Sequence, residues 1–199
     1  MRDPRIETLI SVLDRALFER LAPDTDGWPI ARGIFDALKN PRPTNPASDI
    51  KALVAPEMLA TALDISRKDT RKDRGDLSQL ATTVAELASD LNWWSRMGSS
   101  DDPATFTDGH AFIVGPGGLE DRDDAEIGIS LLAPNVRYPD HHHPPPEVYL
   151  AMTPGAWCKN DGPWIELGIG GTVFNEPNAV HAMKSDSAPL FAFWCLLLK

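Results

Sequence analysis

The stretch RYPDHHHPPPEVYL, residues 137–150, concentrates three of the five histidines and both tyrosines of this 199-residue chain. His141 and His143 are two apart, so on an extended strand they share one face while His142 points the other way. Glu147 and Tyr149 are spaced in the same manner. Pro144, Pro145 and Pro146 lie between the pairs, where they can neither donate to a sheet ladder nor let it run straight. The spacing therefore predicts a bend that turns both inward faces toward one point. With His181 some three dozen residues on, these are donors for a metal ion, which needs imidazole and carboxylate lone pairs converging within about 2.0–2.2 Å. On residue type and spacing, His141, His143, Glu147 and His181 are all candidate ligands. Three or four donors on rigid strands leave coordination positions open, the mark of a catalytic rather than a structural site.

The elements that must position these donors fall into two halves. In residues 1–100, Ile6, Leu9, Ile10, Leu13, Leu17 and Leu21 recur at helical intervals and predict an amphipathic helix over 6–21. Prolines 23–29 should break it, with Trp28 anchoring the turn. Shorter helices are predicted over 30–38 and from Pro56, a good first helical position, to 65. The run 66–76 mixes both charge signs and reads as a solvated helix end or loop. Leu77, Leu80, Val84, Leu87, Leu91 and Trp94 predict one long helix, its stripe serving as core or, as the lesser alternative, a dimer seam. After Gly98 the pattern changes to short β-type runs over 110–114, 126–132, 147–152, 164–169, 179–183 and 190–198, punctuated by Gly, Pro and Asp. The expected architecture is mainly β: a helical N-terminal region, 1–100, packing on a compact antiparallel β-barrel, 101–199, that carries the histidines.

Composition narrows the function classes. A net charge of −10 and a pI near 4.8 argue against nucleic acid and against anionic membrane surfaces. They favour, modestly, a cationic or zwitterionic ligand. Cys158 and Cys195 are too few for a disulfide framework and too far apart for a Cys-x-x-Cys site, so both read as free thiols. Charges interrupt every apolar run near the N-terminus, so neither a signal peptide nor a membrane span is expected, and a cytoplasmic protein is the default. His110, at a strand start, is expected in a surface or capping role. Monomer and homodimer are both open.

His141-x-His143, Glu147, the turn glycine Gly155 and a later His181 preceded by Gly171 and Pro177 resemble the two motifs of the cupin superfamily. That resemblance implies a double-stranded β-helix, or jelly-roll, barrel. More narrowly, Tyr138-Pro-Asp-His-His-His-Pro-Pro followed by Glu147-Val-Tyr149 resembles the DddQ-type dimethylsulfoniopropionate lyases, small cupins with a helical N-terminal region. The resemblance implies metal ligands at His143, Glu147 and His181, with Tyr149 at or beside the metal. It implies a substrate pocket lined by Tyr138, His141 and Tyr149, and it tilts His141 toward substrate contact rather than ligation. One divalent transition metal is implied, with Zn, Fe, Mn, Ni, Co and Cu all compatible.

The implied activity is cleavage of a small zwitterion to dimethyl sulfide and acrylate. A dication that binds the substrate carboxylate acidifies the adjacent C–H, and a base then removes that proton as the sulfide departs. Free tyrosine titrates near 10 and is a poor base at neutral pH, but a neighbouring dication favours its phenolate. Tyr149 is thus the expected base, with Tyr138 the alternative or a positioning donor. A sulfonium should prefer aromatic faces, and Trp194 on the last strand is the expected pocket tryptophan. Two other readings stay open: another metallo-cupin, a dioxygenase or isomerase, and a non-catalytic cupin that binds a small osmolyte.

Overall fold

A computed structural model describes residues 1–45, 56–68, 75–98 and 105–199. Among them four helices precede ten strands: α1 (Pro4–Phe18), α2 (Gly27–Leu38), α3 (Pro56–Lys68) and α4 (Gly75–Leu87). The strands are β1 (Trp93–Trp94), β2 (Asp108–Val114), β3 (Ala125–Leu132), β4 (Arg137–His141) and β5 (Glu147–Ala151). They continue as β6 (Gly155–Lys159), β7 (Ile165–Leu167), β8 (Thr172–Asn175), β9 (His181–Lys184) and β10 (Leu190–Leu197). All pair antiparallel, in a six-stranded sheet of order β1-β2-β3-β10-β5-β8 and a four-stranded sheet of order β4-β9-β6-β7.

Local chemistry explains the helices. Asp3 caps α1 by accepting from the Arg5 N–H at 2.7 Å, and Pro4 takes the first helical position. The helix then buries Ile6, Leu9, Leu13 and Leu17. α2 starts earlier than predicted, at Gly27, because Pro29 falls in its first turn, where no backbone N–H is needed. Its Gly33 sits so close to β10 that a Cβ there would lie 2.8 Å from Leu197.

The long helix predicted through Trp94 ends instead at Leu87. The Trp93 indole N–H donates to the Ala88 carbonyl at 3.0 Å, satisfying a group that the helix end leaves open. Trp93 and Trp94 then extend as β1 along the sheet edge, so the first hundred residues contribute a strand. Strands β6 and β8 also lie outside the predicted runs. Within the mixed-charge run 66–76, residues 69–74 lie outside the described residues. Ser66 is buried rather than solvated, its hydroxyl donating to the Ala62 and Met152 carbonyls.

The helices cover one face of the six-stranded sheet. Ile127, Ile129, Leu131, Phe191, Phe193, Cys195, Val148 and Leu150 point outward and join the helical residues in one apolar cluster. The alternate residues of the same strands point inward, across to the second sheet. A buried ion-pair chain fastens the N-terminus to this arrangement: Arg2 and Arg122 both reach Glu120, whose side chain is fully inaccessible.

Candidate metal centre

Strand register delivers the site. Glu126, Leu196, Glu147 and Asn175 pair in one row across β3, β10, β5 and β8. The next row is Phe112, Gly128, Trp194, Tyr149 and Val173, and the next holds Trp94, His110 and Ser130. The opposing sheet contributes Tyr138 opposite Met183 and His141 opposite His181. Tyr138 and His141 are three apart, yet both face inward, because the β4–β9 register shifts between them. Between the sheets lies a cavity of about 310 Å³, lined by residues of all these rows.

His143, Glu147 and His181 bring ligand atoms within 4.8 Å of one another. Glu147 Oε2 lies 3.2 Å from His181 Nε2 and 3.4 Å from His143 Nε2, and Asn175 Nδ2 donates to the same oxygen at 2.9 Å. Each imidazole is oriented from behind: His143 Nδ1 lies 2.9 Å from the Pro145 carbonyl, and His181 Nδ1 lies 2.8 Å from the Ala179 carbonyl. Only an N–H can satisfy a carbonyl, so Nδ1 carries the proton in both rings, and the Nε2 atoms face Glu147 without a hydrogen-bond partner. A neutral imidazole presents a lone pair there, facing carboxylate lone pairs, so a proton or a metal cation must lie between them. The donor set, its spacing and the carbonyl-oriented imidazoles fit a divalent metal. Burial alone would push the Glu147 carboxyl up. The His143 and His181 imidazoles beside it outweigh that and hold it at about 2.

The other predicted residues surround this triad. His141 lies outside the 4.8 Å group; its ring sits 4.0 Å from that of His181, and its Nδ1 bonds the Pro139 carbonyl at 3.0 Å. Burial and the nearby His181 push it down to about 4. Tyr149 is buried two residues from Glu147 on the same face. Burial first, then the Glu147 charge and a hydrogen bond to it, hold its phenol well above the usual tyrosine range. Tyr138 packs against His110 and edge-on to His141; burial raises its phenol, opposed by a bond from Arg96. Trp194 lays its indole over Gly128, where a Cβ would lie 2.0 Å from the ring, and meets Phe112 edge-on. His142 is exposed at the rim.

Several site residues escaped the sequence reading. His110 is not on the surface. It is buried between Trp94 and Tyr138, with Nε2 3.0 Å from Asp108 and Nδ1 2.7 Å from Ser130, because its strand faces it into the cavity. Asp108, fully buried, also accepts from Ser95 and the Arg96 N–H. Burial opposes its ionisation, but these bonds hold it far below the usual carboxylate range. Arg96, Glu126 and Met183 line the cavity as well, and Asn175 was signalled only by its place in the motif ahead of His181.

The profile of the dimethylsulfoniopropionate (DMSP) lyase family matches residues 31–192. The chain belongs to the DMSP lyase family. A curated relative, DddL of Cereibacter sphaeroides, described as a candidate DMSP lyase, is 27% identical over 161 residues, covering 79% of this chain but 62% of the relative. The chain thus spans less than two thirds of that protein's length. Among solved structures, one chain from the crystal structures of the DMSP lyases RdDddP and RnDddQII aligns over 97% of this chain and 92% of its own, with TM-score 0.63 and 18% identity. DddQ from Ruegeria pomeroyi aligns over 98% and 92%, with TM-score 0.63 and 16% identity. The helical N-terminal half and two-sheet barrel are the mainly β cupin architecture expected from the motifs. Among the described residues no helix is long and apolar enough to cross a membrane.

Proposed function

We propose that this protein is a metal-dependent lyase that cleaves DMSP to dimethyl sulfide and acrylate. The observation that carries the reading is the His143–Glu147–His181 triad, with unpartnered Nε2 atoms, beside Tyr149 in an aromatic-lined cavity of a chain in this family. One divalent cation held by these three residues would polarise the substrate carboxylate and favour the Tyr149 phenolate. Without that charge, burial and Glu147 keep the phenol protonated, so base and ligand set act as a unit.

Tyr149 then takes the α-proton of the substrate. The C–H electron pair becomes the new C=C bond, the β-carbon–sulfur bond breaks, and the sulfur leaves with its pair as neutral dimethyl sulfide. Tyr138, joined to Arg96 and packed on His141, orients the carboxylate; His141 contacts substrate from three residues further along β4. Trp194 faces the sulfonium. In this reading the helices of the N-terminal region, 1–100, cover the outward sheet face, and the barrel, 101–199, carries the ligands. The substrate is a small zwitterion, and the chain acts in the cytoplasm.

The test is headspace dimethyl sulfide from purified protein given DMSP, as isolated, after chelation, after metal add-back, and with Tyr149→Phe. Metal-restorable release that collapses in the variant is expected. Release that persists in Tyr149→Phe would move the base to Tyr138. No release with any metal would overturn the lyase assignment, and oxygen consumption would then be measured for a cupin oxygenase.

A further inference from the structure

Beside the triad the cavity wall carries a second carboxylate with no role in the chemistry above. Glu126 stands on β3 in the same cross-strand row as Glu147, with Leu196 between them. Two strand spacings of about 4.8 Å separate their backbones by about 10 Å. Glu126 is half-buried and lines the cavity, and among the described residues its carboxylate makes no hydrogen bond or ion pair. His143 and Glu147 are the titratable groups whose fields reach it. Its apolar neighbours are specific. Gly128, the next inward residue of β3, lies under the Trp194 indole, and Phe112 meets that indole edge-on at 5.0 Å.

An unpaired carboxylate in an apolar wall lacks the hydration it would have in water, and that cost is offset when a cation arrives. The kind of cation follows from the surroundings. Sulfonium and quaternary ammonium groups spread their charge over methyl groups and offer no N–H or O–H. They are held by aromatic faces and by a nearby anion rather than by directed hydrogen bonds. An indole, a phenyl ring, Leu196 and one carboxylate meet that description. Glu126 places a carboxylate across the cavity from the position where a divalent cation would sit. The pocket is then a complementary dipole for a zwitterion whose charged ends are three bonds, about 4 Å, apart.

We propose that Glu126, beside the Trp194 indole, is the specificity-determining residue that reads the cationic end of the substrate. The inference rests on the function proposed above, which supplies a substrate with a carboxylate at one end and an onium group at the other.

The test uses full-length, metal-loaded protein, wild type and Glu126→Gln, a change that keeps shape and removes charge. Two unreactive probes are titrated by calorimetry: 3-(trimethylammonio)propanoate, which is cationic at the distal end, and 4-methylpentanoate, an isostere of DMSP whose distal end is uncharged. In Glu126→Gln the Kd of the cationic probe should rise about tenfold or more, while that of 4-methylpentanoate stays within about twofold. KM for DMSP should rise with kcat largely kept. Equal weakening of both probes, or no change in either, would overturn the proposal, as would loss of bound metal, which would make Glu126 a ligand. These readouts are separate from the lyase assignment: a wild-type protein that prefers the cationic probe but releases no dimethyl sulfide sinks the reaction and leaves the cation site standing.

Discussion

The two faces of the six-stranded sheet use the same strands for opposite ends. On β3, β10 and β5 the outward residues are Ile127, Ile129, Phe193, Cys195, Val148 and Leu150, all inaccessible and packed on helices. The inward residues at alternate positions include Glu126, Gly128, Trp194, Glu147 and Tyr149, and they meet a cavity instead of a packed layer. The outward face is removed from bulk water and filled with close-packed apolar side chains, whereas the inward one lines a cavity with an open mouth. The inward face keeps two carboxylates and a phenol in low-dielectric surroundings, where their charges act strongly and ions have ready partners. Stability should therefore reside on one side of the sheet and chemistry on the other.

Paired substitutions test that division, beginning with the largest effect. Glu147→Ala should remove metal binding and dimethyl sulfide release to the detection limit while the fold persists. Phe193→Ala, on the opposite face, should lower unfolding free energy by about 3–5 kcal/mol while the folded fraction keeps its metal affinity. Metal titrations and denaturant melts on both variants decide the matter, and crossed results would refute the division. Next, Asn175→Ala frees the Glu147 oxygen that Asn175 holds and should weaken metal binding about 10- to 100-fold. Gly128→Ala joins the faces: its Cβ must displace the Trp194 indole, costing about 1–3 kcal/mol and raising KM more than it changes kcat.

A pH dependence supplies the last test. His141 in the folded chain titrates at about 4, against 6.5 for the free group. As pH falls the unfolded chain binds that proton first, so the contribution is complete above about 6.5 and disappears progressively toward 4. Wild-type melting temperature relative to His141→Gln should fall across that window. A constant difference would show that His141 is not held neutral.

The contrast also explains what could be read in the sequence. Ile127, Ile129 and Leu131 announce their strand by alternation, and the His-x-His, Glu and later His set marks four candidate ligands, of which the structure brings His143, Glu147 and His181 together. Glu126 and Ser130 were harder. A polar residue alternating with isoleucine carries the same period whether it meets solvent or a cavity, so the pattern reads as half-buried. His110 was misjudged because β2 begins two residues earlier, at Asp108, so it is an inward strand residue rather than a strand start. The helix from Leu77 was extended over Leu91 and Trp94 because their spacing stays in phase after the helix ends, and the cap that stops it is an indole donating across five residues. The two-residue pairing of β1 offers too short a run for any period to show.

The irregularity in β4 has a further consequence. By taking up one additional residue around Pro139 and Asp140, the strand supplies Tyr138 to the cavity out of step with His141. Tyr138 and the His141–His181 pair thereby follow different registers of the same two strands. A substitution that shifts Tyr138 can alter what the cavity accepts without changing the pitch that aligns His143, Glu147 and His181. The substrate wall on β4 and the candidate metal centre are in that sense separately adjustable.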